Sequence, residues 1–136
     1  MPHAADMHTV IVVERDILAT RKQVRDFCQK LGFGLTDVTR IVTSVSELAR
    51  NIHRYAGQGR VSWCEINNGR KKGIELLFED EGPGIDDLDA AMQEGFSTTS
   101  KSMGMGLPGV KRLMDEMELE SELGQGTRVT IRKWMR

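Results

Sequence analysis

An apolar run, Ile74-Glu75-Leu76-Leu77-Phe78, breaks off abruptly at Glu79-Asp80-Glu81-Gly82-Pro83-Gly84, and this break constrains the fold more than any other stretch of the chain. A strand has to stop there. Glycine lets the backbone take positive φ and approach a neighbour closely, and proline stiffens the turn between the two glycines. Asp80 is then left at a strand end, an acceptor facing a cleft. Taken alone, the same pattern also describes an acidic surface turn, so its meaning depends on the rest of the chain.

The other elements follow from periodicity. His8 to Val13 is a β-branched run of strand length. From about Asp16 to Leu31, Ile17, Val24, Phe27, Cys28 and Leu31 recur at helical spacing, and Gly32 is the expected stop. Beyond Gly34-Leu35, Thr36 or Asp37 can cap a second helix in which Val38, Ile41, Val42, Val45, Leu48, Ala49 and Ile52 form one apolar stripe. That helix is expected to run to about Tyr55 and to stop at Gly57. The runs Val61 to Ile66 and Ile74 to Phe78 flank Asn67-Asn68-Gly69-Arg70, whose Asn-Gly predicts an antiparallel hairpin.

Past Gly84, a short helix is expected near Asp86 to Gln93, then an aperiodic polar loop from Gly95 to Gly104. Gly106-Leu107-Pro108 opens a helix with Leu107, Val110, Leu113, Met114 and Met117 on its core face, Pro108 being tolerated in the first turn. Leu119 to Leu123, the turn Gly124-Gln125-Gly126 and Thr127 to Trp134 make a closing hairpin. This order predicts a two-layer α/β (α+β) sandwich, a mixed and mostly antiparallel sheet with helices on one face. Residues 1–7 are expected to be a flexible terminus and 8–136 a single domain.

With 136 residues the chain can bury a core without disulfides or a structural metal. Its 19 basic and 20 acidic residues, net charge -1, give no electrostatic ground for binding nucleic acid or an anionic membrane. Cys28 and Cys64 lie far apart and outside any Cys-x-x-Cys, which reads as buried reduced thiols in a cytoplasmic protein. No window reaches membrane-spanning length, and the amino terminus lacks a basic segment followed by an apolar one.

Three further patterns carry chemistry. Glu47 and Asn51 stand one turn apart on the second helix, beside its apolar stripe. A carboxylate and an amide so placed could orient or deprotonate a nucleophile and hold a hydrated Mg2+, an ion that needs only one or two protein oxygens; they could equally be the polar edge of an amphipathic helix. Gly104-Met105-Gly106-Leu107 stands where a loop enters a helix, a junction whose free N–H groups can cradle phosphate or simply form a loop. Gly126-Thr127, before the last strand, reads first as a hairpin turn. His53 is expected at the surface, and Trp63 and Trp134 as packing residues.

In this order, Glu47-x-x-x-Asn51, Asp80-x-Gly82-x-Gly84, Gly104-x-Gly106-Leu107 and Gly126-Thr127 resemble the Bergerat ATP-binding superfamily of type II topoisomerases, histidine kinase catalytic domains and MutL. Over roughly residues 8 to 136 the wording is similar to the anti-sigma-factor serine kinases, specifically the RsbT-type switch kinases of the stressosome. Ser46-Glu47-Leu48-Ala49-Arg50-Asn51-Ile52, Glu94-Gly95-Phe96-Ser97-Thr98, Gly106 to Glu116 and the ending Lys133-Trp134-Met135-Arg136 carry it. Thr99-Ser100-Lys101-Ser102 is less glycine-rich than the family's lid.

The resemblance implies a serine/threonine protein kinase using ATP and Mg2+. Asp80 would accept from the adenine amino group, with Gly82, Gly84 and Ile85 beside the base and Thr127 assisting. Asn51 would hold Mg2+; Gly104, Met105, Gly106 and Leu107 would cradle the phosphates, with Lys101 in reach of them or solvated. Glu47 would be the general base or orienting group for the attacking hydroxyl. Implied partners are STAS-domain proteins of a stressosome and a downstream serine phosphatase or nucleotide cyclase. The alternatives are a nucleotide-dependent binding switch with little catalysis and an RsbW- or SpoIIAB-like factor that sequesters a sigma factor.

Overall fold

In the computed structural model of the chain, residues 7–84 and 106–136 are described. Strand β1 (Met7–Ile11) is followed by helices α1 (Arg15–Leu31) and α2 (Leu35–Asn51), a π-turn (Ile52–Ala56), strands β2 (Gly59–Asn67) and β3 (Lys72–Asp80), helix α3 (Gly106–Leu113), and strands β4 (Glu116–Glu122) and β5 (Gly126–Trp134). The strands form one sheet in the order β1-β2-β3-β5-β4. Every neighbouring pair among them is antiparallel, so the parallel component expected from the sequence is absent from the described strands.

Strand alternation and helical periodicity bury one common core. The sheet contributes Ile11, Val61, Trp63, Ile74, Leu76, Phe78, Val129 and Ile131, and these pack with Val24 and Cys28 of α1, Val38 to Leu48 of α2, and Leu107 and Val110 of α3. Trp63 and Phe78 are the largest side chains to be essentially enclosed, and each removes well over a hundred Å² of surface from water. The predicted packing role holds for Trp63. Trp134 is half-buried and donates its indole N–H to Glu116 Oε2 at 2.8 Å.

Local chemistry sets the joints. Gly32, at φ 108, closes α1 in the left-handed conformation and donates to the Cys28 and Gln29 carbonyls. Asn67 and Asn68 take the N–H groups of Gly69, Arg70 and Lys71 onto their side-chain oxygens, shaping the β2–β3 turn. Helix α2 starts at Leu35, two or three residues earlier than a Thr36 or Asp37 cap requires. Gly34 is its N-cap, with no side-chain cap, and Asp37 lies in the first turn. The segment expected to continue α2 to Tyr55 instead widens into the π-turn and ends at Gly57, φ 85. The helix predicted near Asp86 to Gln93, the loop to Gly104 and residues 1–6 of the expected flexible terminus fall outside the described residues, whereas Met7, expected in that terminus, is the first residue of β1 and pairs with Trp63. Cys28 and Cys64 are both buried thiols outside any disulfide, as expected, and burial pushes the Cys28 thiol up to about 12.

At the end of β5 remote from Thr127, Lys133 is only 3% exposed. Its Nζ donates to the Leu113 carbonyl at 2.9 Å and faces Asp115 at 3.4 Å. Partial burial raises the Asp115 carboxyl, but the Trp134 N–H, Lys133 and Arg136 outweigh it and hold the group below its ordinary 3.8. A carboxyl depressed in the folded state contributes stability above its unfolded value and loses it as pH falls through the folded value. Denaturant titrations of the wild type and Asp115→Asn should therefore differ by a constant amount above about pH 5, and the difference should shrink below about pH 4. A gap that persists undiminished in acid would contradict the ion-pair account.

Candidate functional site

The end of β3 is built for close approach. Asp80 lies in register with Gly59 on β2 and Thr127 on β5, all on the helix-bearing face of the sheet. A Cβ at Gly126 would stand 2.1 Å from the Asp80 carbonyl oxygen, and one at Gly59 would stand 2.5 Å from that of Glu79 and 2.7 Å from Ile52 Cγ2. Only glycine fits either place. A side chain on Gly82 would meet Ala56 of the π-turn at 2.6 Å, and one on Gly84, φ 78, would meet the Glu122 carbonyl at 2.2 Å. The Gly124 N–H donates to the Pro83 carbonyl at 2.7 Å. The turn after Asp80 is thus clamped between the π-turn and the β4–β5 hairpin.

This clamping orients the carboxylate. Asp80 Oδ1 accepts from the Gly82 N–H at 2.9 Å, while Oδ2 has no partner among the described residues. Beside it, the Thr127 hydroxyl lies 3.0 Å from that of Ser121 on β4. A cleft of about 880 Å³ opens over this end of the sheet, lined by Ala56, Gly59, Asp80, Ser121, Gly126 and Thr127 among others. It lies within the size range of small-molecule sites.

A second group forms where α2 meets α3. Glu47 is only 6% exposed. Its Oε2 accepts from the N–H of Gly106, the first residue of α3, at 3.3 Å, and its Oε1 receives Arg50 Nη1 at 3.4 Å. Both contacts are long, so the buried carboxylate is held loosely at the positive end of a helix. Asn51, the last residue of α2, is half-buried, with no side-chain partner among the described residues. The π-turn begins at the next residue, and through Ile52 and Ala56 it abuts Gly59 and Gly82. It physically joins the Glu47–Asn51 group to the Asp80 group, as π-turns at working sites commonly do.

The family model for histidine kinase-, DNA gyrase B- and HSP90-like ATPases matches residues 36–136, which span both groups. The chain belongs to that ATPase family. Serine/threonine-protein kinase RsbT of Bacillus subtilis (strain 168) is 49% identical over 126 residues, 93% of this chain and 94% of that protein. An anti-sigma F factor of Thermoanaerobacter sp. (strain X514) is 36% identical over 120 residues, 85% of this chain and 82% of its own. Among solved structures, the RsbU and RsbW domains of Rv1364c from Mycobacterium tuberculosis share the fold, with a TM-score of 0.67 at 20% identity over 96% of this chain and 32% of that one. The catalytic domain of histidine kinase ThkA gives 0.53 at 13% identity, covering 94% and 95%.

Against this ATPase fold, the structure brings Asp80, Gly82, Gly84 and Thr127 together, and separately Glu47, Asn51, Gly106 and Leu107. Ile85, Lys101, Gly104 and Met105 lie outside the described residues. The close neighbour of Gly84 is the β4–β5 hairpin, so its missing side chain serves loop packing. His53 is half-buried rather than at the surface, with Nδ1 enclosed and unpartnered among the described residues. Sequence reading missed Gly59, Ala56, Arg50 and Ser121. Arg50 was visible in principle as an i,i+3 partner of Glu47, whereas Gly59 and Ser121 become neighbours of Asp80 and Thr127 only through strand register, and Ala56 a neighbour of Gly82 only through the π-turn. Among the described residues no helix is long and apolar enough to cross a membrane.

Proposed function

We propose that this chain is a cytoplasmic, ATP-dependent serine/threonine protein kinase whose acceptor is a STAS-domain protein of a stress-signalling assembly. Transfer would release the kinase to a downstream regulator such as a serine phosphatase or a nucleotide cyclase. The observation that carries the reading is Glu47, a buried carboxylate at the mouth of α3 that nucleotide binding alone does not require. Similarity to the Bacillus subtilis kinase over nearly the full length of both chains supports it.

The residues divide the work. Asp80 would accept from the amino group of adenine, assisted by Thr127, with Gly82 and Gly84 shaping the turn beside the base and the contribution of Ile85 resting on the sequence resemblance. The N–H groups at the start of α3, Gly106 and Leu107, would receive phosphate oxygens; the contributions of Lys101, Gly104 and Met105 rest on the sequence resemblance. Asn51, whose amide oxygen has no partner among the described residues, would hold Mg2+, which would supply charge neutralisation for the phosphates. Glu47 would take the proton of the attacking serine or threonine hydroxyl as its oxygen bonds to the γ-phosphorus and the bond to the β–γ bridging oxygen breaks, leaving ADP. Positioning and charge neutralisation supply most of the acceleration in such transfers.

The similarity to anti-sigma F factors supports a second reading, sequestration of a sigma factor. One experiment separates them. Capture of partners from cytosol with and without Mg-ATP, followed by phosphosite mapping, should recover a STAS-domain protein carrying new phosphoserine or phosphothreonine. Recovery of a sigma factor with no phosphorylated STAS protein would overturn the kinase reading.

A further inference from the structure

We infer that Ser121 is a positioning residue that sets base specificity by fixing which way the Thr127 hydroxyl points; the inference rests on the nucleotide-binding reading above. Antiparallel register places Asp80, Thr127 and Ser121 in one row across β3, β5 and β4, on one face of the sheet. Ser121 Oγ lies 2.9 Å from the Gly126 carbonyl oxygen and 3.0 Å from Thr127 Oγ1. A hydroxyl has one proton and a carbonyl oxygen only accepts. The Ser121 proton therefore goes to Gly126. The contact with Thr127 must then be donated by Thr127, whose proton points to Ser121 and away from the base.

The consequence is chemical. With its proton committed, Thr127 Oγ1 shows only lone pairs to the cleft, next to Asp80, which as a carboxylate also shows only lone pairs. Two adjacent acceptors suit an exocyclic amino group. A 6-oxo purine brings another acceptor to the same place, leaving lone pairs facing lone pairs and buried groups unpaired. Without the Ser121 hydroxyl, Thr127 can turn and donate, and the row loses part of its preference. Ser121 itself need not touch the nucleotide.

ATP and ITP differ at the 6 position, amino against oxo, and in the proton that the 6-oxo ring carries at N1, and their dissociation constants with the full chain, measured by calorimetry, test the inference. Ser121→Ala should narrow the preference for ATP over ITP about fivefold, the worth of one hydrogen bond of about 1 kcal/mol, mainly through tighter ITP binding. Ser121→Thr, which keeps a hydroxyl, should restore the preference. Thr127→Val keeps the β-branched shape and has no proton to redirect. It should weaken ATP without improving ITP, and adding Ser121→Ala to it should change nothing further. A folded Ser121→Ala with an unchanged ratio would overturn the role of Ser121 alone, and should that variant not fold, improved ITP binding by Thr127→Val would do the same. Failure of the wild type to bind ATP at all would remove the nucleotide reading itself.

Discussion

Glu47→Ala should bind ATP within about threefold of the wild type and lose phosphotransfer by two to four orders of magnitude, the usual contribution of a positioned general base. Among the described residues the Glu47 carboxylate contacts the Gly106 N–H and Arg50 and no part of the Asp80–Thr127 row. Removing it leaves the start of α3 with one more free donor, which a phosphate oxygen can use, so affinity has no reason to fall. The cost should appear in the rate because the acceptor hydroxyl then has no base within reach. Glu47→Gln separates geometry from basicity. Its amide oxygen can still accept from Gly106, so the junction of α2 and α3 should survive while transfer remains lost. Calorimetric affinity together with phosphoserine formation on the captured partner measures both quantities. Transfer that survives Glu47→Gln would show that the carboxylate positions a helix and does no chemistry.

Asp80→Asn should have the opposite profile, with ATP affinity falling more than about a hundredfold and thermal stability nearly unchanged. In the wild type Oδ1 is committed to the Gly82 N–H and Oδ2 has no partner among the described residues. An asparagine would keep its oxygen on Gly82 and turn its amino group to where Oδ2 stood. Donor would then face donor at the adenine amino group. Losing a charge-assisted hydrogen bond and leaving a buried donor unmatched together cost about 3 kcal/mol, or two decades in Kd. The turn should survive, because Pro83, Gly84 and Gly126 hold it through backbone contacts independent of the charge. If Asp80→Asn and Glu47→Ala lost nucleotide equally, the separation of binding from transfer would be wrong.

Much of this was legible in the chain because short-range rules wrote it. Period-2 and period-3.6 apolar patterns predicted that each described strand and helix exists, since burying those faces is the only way to pay for ordering them, but not every boundary: Met117, expected on the last helix, lies in β4 because that helix ends at Leu113. Glycine marked the stops at Gly32 and Gly57 because positive φ is costly for other residues. The patterns around Glu47, Asp80 and Gly106 stood out as local departures from periodicity, in an order that resembles one superfamily.

Register and close approach were not legible, because they depend on residues distant in sequence. Nothing local to Gly59 or Gly126 says that a side chain there would collide with the backbone of β3 or its turn. Nor does the sequence reveal that α2 widens into a π-turn, which carries Ala56 to Gly82 and so ties the Asn51 end of the helix to the Asp80 turn. The direction of the Thr127 hydroxyl is decided last of all. It follows from a serine on one neighbouring strand and a carbonyl on its own, and only the assembled sheet brings both within a hydrogen bond. The residue types that can do the chemistry were therefore determined by the sequence, and which oxygen faces outward was decided by the tertiary structure, since hydrogen-bond direction is a property of neighbours in space.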